Sequence, residues 1–181
     1  MNEFRNVSKK LGAANKKAYT DVLTGLRNKA AFEDMVMVLL EKIDTEEFPE
    51  IAVIMADINN LKYVNDNFGH NKGDEYIIGC CKVLSDACKH SLIYRIGGDE
   101  FVIVLEGHDY INRTVLYNDL KSKYLELYSD ETKEFWERYS VSLGFAQYEV
   151  TDLGIADIMK RADEEMYKDK ASFKQSYGSY R

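Results

Sequence analysis

Arg95-Ile96-Gly97-Gly98-Asp99-Glu100-Phe101 lies between two apolar runs, Leu92 to Ile96 and Phe101 to Leu105. Two such runs with a short glycine-containing connection predict a β-hairpin. Gly97 and Gly98 are read as supplying the backbone freedom of a tight turn. Asp99 and Glu100 then stand at the tip, beside residues expected to be buried. A carboxylate pair held on a rigid turn suits a hard cation, which takes oxygen ligands. Gly-Gly followed by acids also occurs in solvated hairpins, so the turn alone does not decide the chemistry.

The rest of the chain bounds the possibilities. Its 181 residues suit one domain, and 45% hydrophobic residues allow a sizeable core. No apolar run approaches the length of a membrane span, and Met1 to Lys17 has no apolar segment of signal-peptide type. The net charge of −7 argues against nucleic acid as a partner. An anionic substrate would need local Lys, Arg or metal. Cys80, Cys81 and Cys88 offer no Cys-x-x-Cys pair, so neither zinc nor disulfide is expected, and a reducing cytoplasm fits.

Ser8 to Tyr19 is polar and helix-prone with little apolar stripe of its own. Asn28 can cap a helix in which Phe32, Met35, Val36, Leu39, Leu40 and Ile43 form one buried stripe. After Pro49, Ile51 to Ala56 reads as a strand covered on both faces and ending at Asp57. Standing alone, Asp57 reads as a plain loop acid rather than a ligand. Asn59 to Phe68 reads as a short polar helix, and Gly69 and Gly73 as framing a turn. In the helix that follows, Ile77, Cys80, Cys81, Leu84 and Cys88 lie on one face, with Asp74 in the first turn, where an acid suits the helix dipole.

Tyr110 to Tyr128 is expected to be helical. Tyr139, Val141, Leu143 and Phe145 alternate with Ser140, Ser142, Gly144 and Ala146, a strand with one small-residue face against which something can pack closely. Ile155, Ile158, Met159, Ala162 and Met166 form a last helical stripe, followed by Lys168, Lys170 and Lys174, cations that suit a helix end or a solvated tail. Interleaved strands and helices give an α/β class, a mixed central sheet surrounded by helices.

Five motifs now stand in order: Asp21-x-Leu23-Thr24-Gly25-Leu26-x-Asn28, Asp57 to Asn65, Gly69-His70-x-x-Gly73-Asp74, the Arg95 to Phe101 turn, and Ala162-Asp163-x-x-Met166-Tyr167-x-x-Lys170. Together they resemble the GGDEF domain of bacterial diguanylate cyclases, over nearly all of Asp21 to Lys170. The resemblance implies a palm-like nucleotidyl cyclase fold with the GGDEF hairpin at the active site. It implies condensation of two GTP molecules into cyclic di-GMP with release of pyrophosphate. The domain reading is a linker helix over residues 1–20, the GGDEF domain over 21–175 and a tail over 176–181.

The resemblance also assigns roles. Asp57, Asp99 and the carbonyl of Ile58 would hold magnesium, with manganese as a substitute, and Glu100 would support the same site. Asp99 would accept or orient the attacking 3′-hydroxyl. Asn65 and Asp74 would read the guanine edge. Lys62 and Lys170 would neutralise the triphosphate, and Asp21 would pair with Arg95. A carboxylate at Asp74 suits the N1–H and N2–H₂ donors of guanine and disfavours adenine.

The family's product-inhibition motif, Arg-x-x-Asp, is replaced here by Cys88-Lys89-His90-Ser91. After Lys170, the family's Gly-Arg-Asn is replaced by Phe173-Lys174-Gln175, so Lys174 would bring charge without bidentate geometry. One GGDEF turn per chain presents one GTP, so a transient two-fold homodimer is expected. A start on a helix points to an upstream sensory domain, and to a cytoplasmic location, whether or not that sensor is membrane-anchored. The alternative reading is a catalytically silent GGDEF domain that senses GTP or docks a partner.

Overall fold

The computed structural model describes residues 18–45 and 49–178. Most of the helix expected over Ser8 to Tyr19 lies outside these residues. The element order is β1 (Arg27–Asn28), α1 (Lys29–Thr45), β2 (Ala52–Ile58), α2 (Leu61–Phe68), α3 (His70–Ala87), β3 (Leu92–Arg95) and β4 (Glu100–Leu105), followed by α4 (Gly107–Ile111), α5 (Arg113–Ser129), a 3₁₀ turn (Phe135–Glu137), β5 (Val141–Gln147) and α6 (Ile155–Tyr177). Among the described residues the strands form one five-stranded mixed sheet, ordered β1-β3-β4-β2-β5. Only the short β1–β3 pairing is parallel.

Strand periodicity sorts the side chains into two layers. Ala52, Ile54, Ala56 and Ile58 of β2 join Phe101, Ile103 and Leu105 of β4 in a core shared with α3 and α5. Val53 and Met55 join Val102 and Val104 in a second core under α1 and α6. The same alternation carries Asp57 onto the α6 side, so a buried strand aims its acid at the last helix. The small face of β5 is where that helix rests. A Cβ on Gly144 would stand 1.9 Å from the backbone oxygen of Ala162, so only glycine permits this approach.

β5 is an edge strand, and its free edge is covered. The N–H of Leu143 donates to Asp169 Oδ2 at 2.9 Å, and its carbonyl accepts from the Tyr117 hydroxyl at 3.0 Å.

Several expectations change in detail. The hairpin forms, but neither Gly97 nor Gly98 takes a left-handed conformation. A Cβ on Gly97 would stand 2.6 Å from Glu100 Oε2, the end of an exposed side chain that can turn aside. Gly69 makes the turn, with φ 83°, whereas Gly73 lies inside α3. Asp74 therefore sits beyond the first turn of that helix, which weakens the helix-dipole reading. The helix expected from Tyr110 is split into α4 and α5 at Asn112. Cys80 and Cys81 are buried, as the apolar pattern implies, and Cys88 is buried as well.

Candidate active site

The site forms where β2, the β3–β4 turn and the far half of α6 meet. Asp57 and Glu100 are direct partners in the β2–β4 ladder. The next rung is closed by the N–H of Ile58, which donates to the carbonyl of Asp99 at 2.9 Å. Sheet register thus sets Asp99 and Glu100 beside Asp57, although they lie about forty residues away in sequence.

Asp57 is 6% exposed. Burial raises its carboxyl pKa, and the charges of Asp99 and Glu100 raise it further, while Lys170 pulls the other way without cancelling them. Lys170 Nζ donates to Asp57 Oδ1 at 2.6 Å. A desolvated carboxylate with other acids nearby calls for a cation. Here the ammonium of Lys170 stands where positive charge is required, and the donor set is hard oxygen, so these residues fit magnesium.

The turn is clamped from behind. Arg95 donates from Nη2 to the carbonyl of Gly98 at 2.6 Å and from Nη1 to Asp21 Oδ1 at 3.0 Å. The same Oδ1 accepts from the backbone N–H and the hydroxyl of Thr24, at 2.9 and 2.7 Å. For Asp21, burial pushes the pKa up, but the hydrogen bonds from Thr24 and Arg95 outweigh it and hold the carboxyl below its ordinary value. Asn28 caps α1 by accepting from the N–H of Ala31 at 3.1 Å, and its amide donates to the carbonyl of Ala18 at 2.8 Å. The first motif therefore ties the entry of the domain to the hairpin.

A cleft of about 190 Å³ opens beside Asp99, lined by Ile58, Lys62, Lys170, Phe173 and Lys174 among others. It brings Ile58 and Asp99 of the expected metal residues together with Lys62, Lys170 and Lys174, whereas Asp57 does not line it and Glu100 lines a separate cavity beside α1. Asn65 and Asp74 lie outside the cleft, on α2 and α3. Asn65 Oδ1 lies over Gly73, 1.9 Å from where a Cβ on that residue would stand. A larger cavity of about 390 Å³ lies between α5 and α6 and shares Asn59 and Phe173 with the cleft. The smaller one holds Asp99 and the lysines, so it is the candidate site.

The structure adds residues the motifs did not single out for a role. Asn59 is buried and bridges Ser140, just before β5, and Ser142 within it: it donates to Ser140 Oγ at 3.0 Å and accepts from Ser142 Oγ at 2.9 Å. Asn60 takes a left-handed conformation with φ 59°, which turns the chain from β2 into α2 and aims Lys62 at the cleft. An Asn-Asn pair directly after a buried strand was the available signal, since asparagine tolerates this conformation better than most residues.

The profile of the diguanylate cyclase GGDEF domain family matches residues 18–176, nearly the whole described chain. The chain belongs to the GGDEF domain family. This GGDEF domain is 32% identical over 132 residues to a diguanylate cyclase of Vibrio cholerae, covering 72% of this chain and 40% of that protein. It is 40% identical over 90 residues to the diguanylate cyclase DgcN of Escherichia coli, covering 49% of this chain and 21% of DgcN. The chain thus spans less than half the length of these curated relatives. In structure it is similar to the coiled coil and GGDEF domain of DgcB from Caulobacter crescentus in complex with c-di-GMP. That likeness has a TM-score of 0.76 and 25% identity, and covers 99% of this chain and 92% of that one. The active GGEEF domain of a Vibrio cholerae diguanylate cyclase is similar with a TM-score of 0.58 and 32% identity, over 67% of this chain and 77% of that one.

Proposed function

We propose that this domain is an active diguanylate cyclase, condensing two GTP molecules into cyclic di-GMP and releasing two pyrophosphates. The observation that carries the reading is the buried Asp57 paired in register with the acids of the GGDEF turn, above a cleft edged by lysines. Asp57, Asp99 and the Ile58 carbonyl, supported by Glu100, would hold magnesium or manganese. When bound, the metal supplies charge neutralisation at the triphosphate.

The domain's own residues do the rest. Lys62, Lys170 and Lys174 neutralise phosphate charge, and nucleotidyl transfer depends mostly on such positioning and neutralisation. Asn65 and Asp74 read the guanine. Asp99 orients the 3′-hydroxyl and accepts its proton as the oxygen attacks the α-phosphorus of the other GTP. The bond from that phosphorus to the bridging oxygen breaks, and pyrophosphate leaves.

Each chain carries one such constellation, and the product has two equivalent linkages, so two chains face each other about a two-fold axis. The residues around Asn60, Lys62 and Glu100 are polar, which supports a transient dimer. The coiled coil beside the GGDEF domain in DgcB supports a helix before Asp21 as the aligning element, driven by an upstream sensory domain in the cytoplasm.

The Lys170–Asp57 ion pair favours a second reading, a silent domain that binds GTP without turning it over, because it occupies the carboxylate a metal would need. Incubation with GTP and magnesium, with chromatography for cyclic di-GMP, separates the two. Product from the parent and none from a folded Asp99→Asn variant is expected. GTP binding without product across a wide range of protein concentration would leave the silent reading standing.

A further inference from the structure

His90, His108 and Asp109 play no part in the site above. His90 precedes β3 and the other two follow β4, while Leu92 pairs with Val104. The three therefore meet at the open end of the hairpin whose closed end carries Asp99. The length of β4 puts about 17 Å between the two ends.

Each side chain offers one ligand atom, and these atoms lie within 4.8 Å of one another. Asp109 is 4% exposed, and its Oδ2 accepts from the N–H of His90 and the hydroxyl of Ser91, both at 2.8 Å. Ser91 Oγ in turn accepts from the N–H of Glu106 at 3.3 Å. The carboxylate is thus fixed by a supporting shell of the kind that orients metal ligands. The imidazoles of His90 and His108 meet edge to face at 5.6 Å, and Asn112 Nδ2 lies against the His108 ring, 3.2 Å from Nε2.

We propose that His90, His108 and Asp109 bind one divalent transition-metal ion of the zinc type, with water completing the shell. Two imidazoles and one carboxylate form a donor set that suits zinc, copper or nickel and is a poor one for magnesium. Tetrahedral zinc at ordinary bond lengths sets its donors about 3.4 Å apart. Small rotations of the two exposed histidine rings close the difference. The three cysteines are buried and stand outside this cluster. The ion would lock the α3–β3 connection to α4 at the base of the GGDEF hairpin.

The test titrates the whole chain with Zn²⁺ against a chromogenic chelator in excess magnesium, and records the visible spectrum with Co²⁺. One equivalent of zinc and the strong visible bands of four-coordinate cobalt are expected. The His90→Ala/His108→Ala double variant should weaken zinc binding by more than about tenfold and lose the cobalt bands. Asp99→Asn should keep both, which separates this site from the catalytic carboxylates. Both histidines are exposed, so the double variant is expected to melt with the metal-free parent. If it melts early, the single His90→Gln variant carries the same comparison. Absence of saturable binding at one equivalent, or binding by the histidine variants as tight as the parent's, would overturn the proposal.

Discussion

Replacing Gly144 with alanine tests how closely α6 must lie on β5 for the candidate cleft to exist. The added Cβ would stand 1.9 Å from the oxygen of Ala162, 2.2 Å from the nitrogen of Met166 and 2.8 Å from its Cα. All three are backbone atoms of one helix, so no side chain can turn aside. Restoring an ordinary contact of roughly 3.5 Å requires α6 to lift by about 1.5 Å. Overpacking a core costs about 1–3 kcal/mol, and a rigid backbone obstacle puts this case at the upper end, about 3 kcal/mol. For a domain of this size that lowers the melting temperature by about 6–12 °C. Lys170, Phe173 and Lys174 ride on the same helix, so cyclic di-GMP formation should fall by about tenfold or more.

Gly79→Ala is the control. Its Cβ would meet the Tyr139 ring at 2.1 Å, but at the far end of a side chain that can rotate. Its gain in helix propensity, about 0.8–1 kcal/mol, offsets that displacement. Calorimetric melts and product chromatography on the two variants and the parent provide the comparison. A Gly144→Ala protein melting within about 2 °C of the parent would refute the close-packing argument.

Three other outcomes are expected. Folding raises the Asp57 carboxyl pKa, so its ionised form costs stability at every pH above that raised value. Asp57→Asn should therefore melt at or above the parent temperature at pH 7 while making no product, and a large drop in melting temperature would contradict this. Gly73→Ala should push Asn65 aside and raise the KM for GTP more than it lowers kcat; unchanged kinetics would detach Asn65 from guanine. Asp21 has a lowered folded pKa, so its contribution is present above the unfolded value of 3.8 and is lost as pH falls below it. Melting curves should show the parent losing more stability than Asp21→Asn between pH 5 and acid conditions, and parallel losses would count against the Arg95 clamp.

Much of this was legible in the sequence because it depends on local periodicity. The hairpin, the buried β2 run and the α6 stripe each follow from the spacing of apolar residues within one element. The small face of Ser142, Gly144 and Ala146 announced close packing, though not what would pack there. The motifs located Asp57, Asp99 and Lys170, since each stands at a fixed offset from a strand or helix end. Strand register was decided only by the assembled sheet, which placed Glu100 opposite Asp57 and aimed Asp57 at α6. The Lys170–Asp57 pair spans 113 residues, and no local pattern reports a contact of that range. His90, His108 and Asp109 carry no linear signature at all. Only the pairing of β3 with β4 brings their ligand atoms together, because side-chain proximity across a sheet is set by which strands bond and in what register.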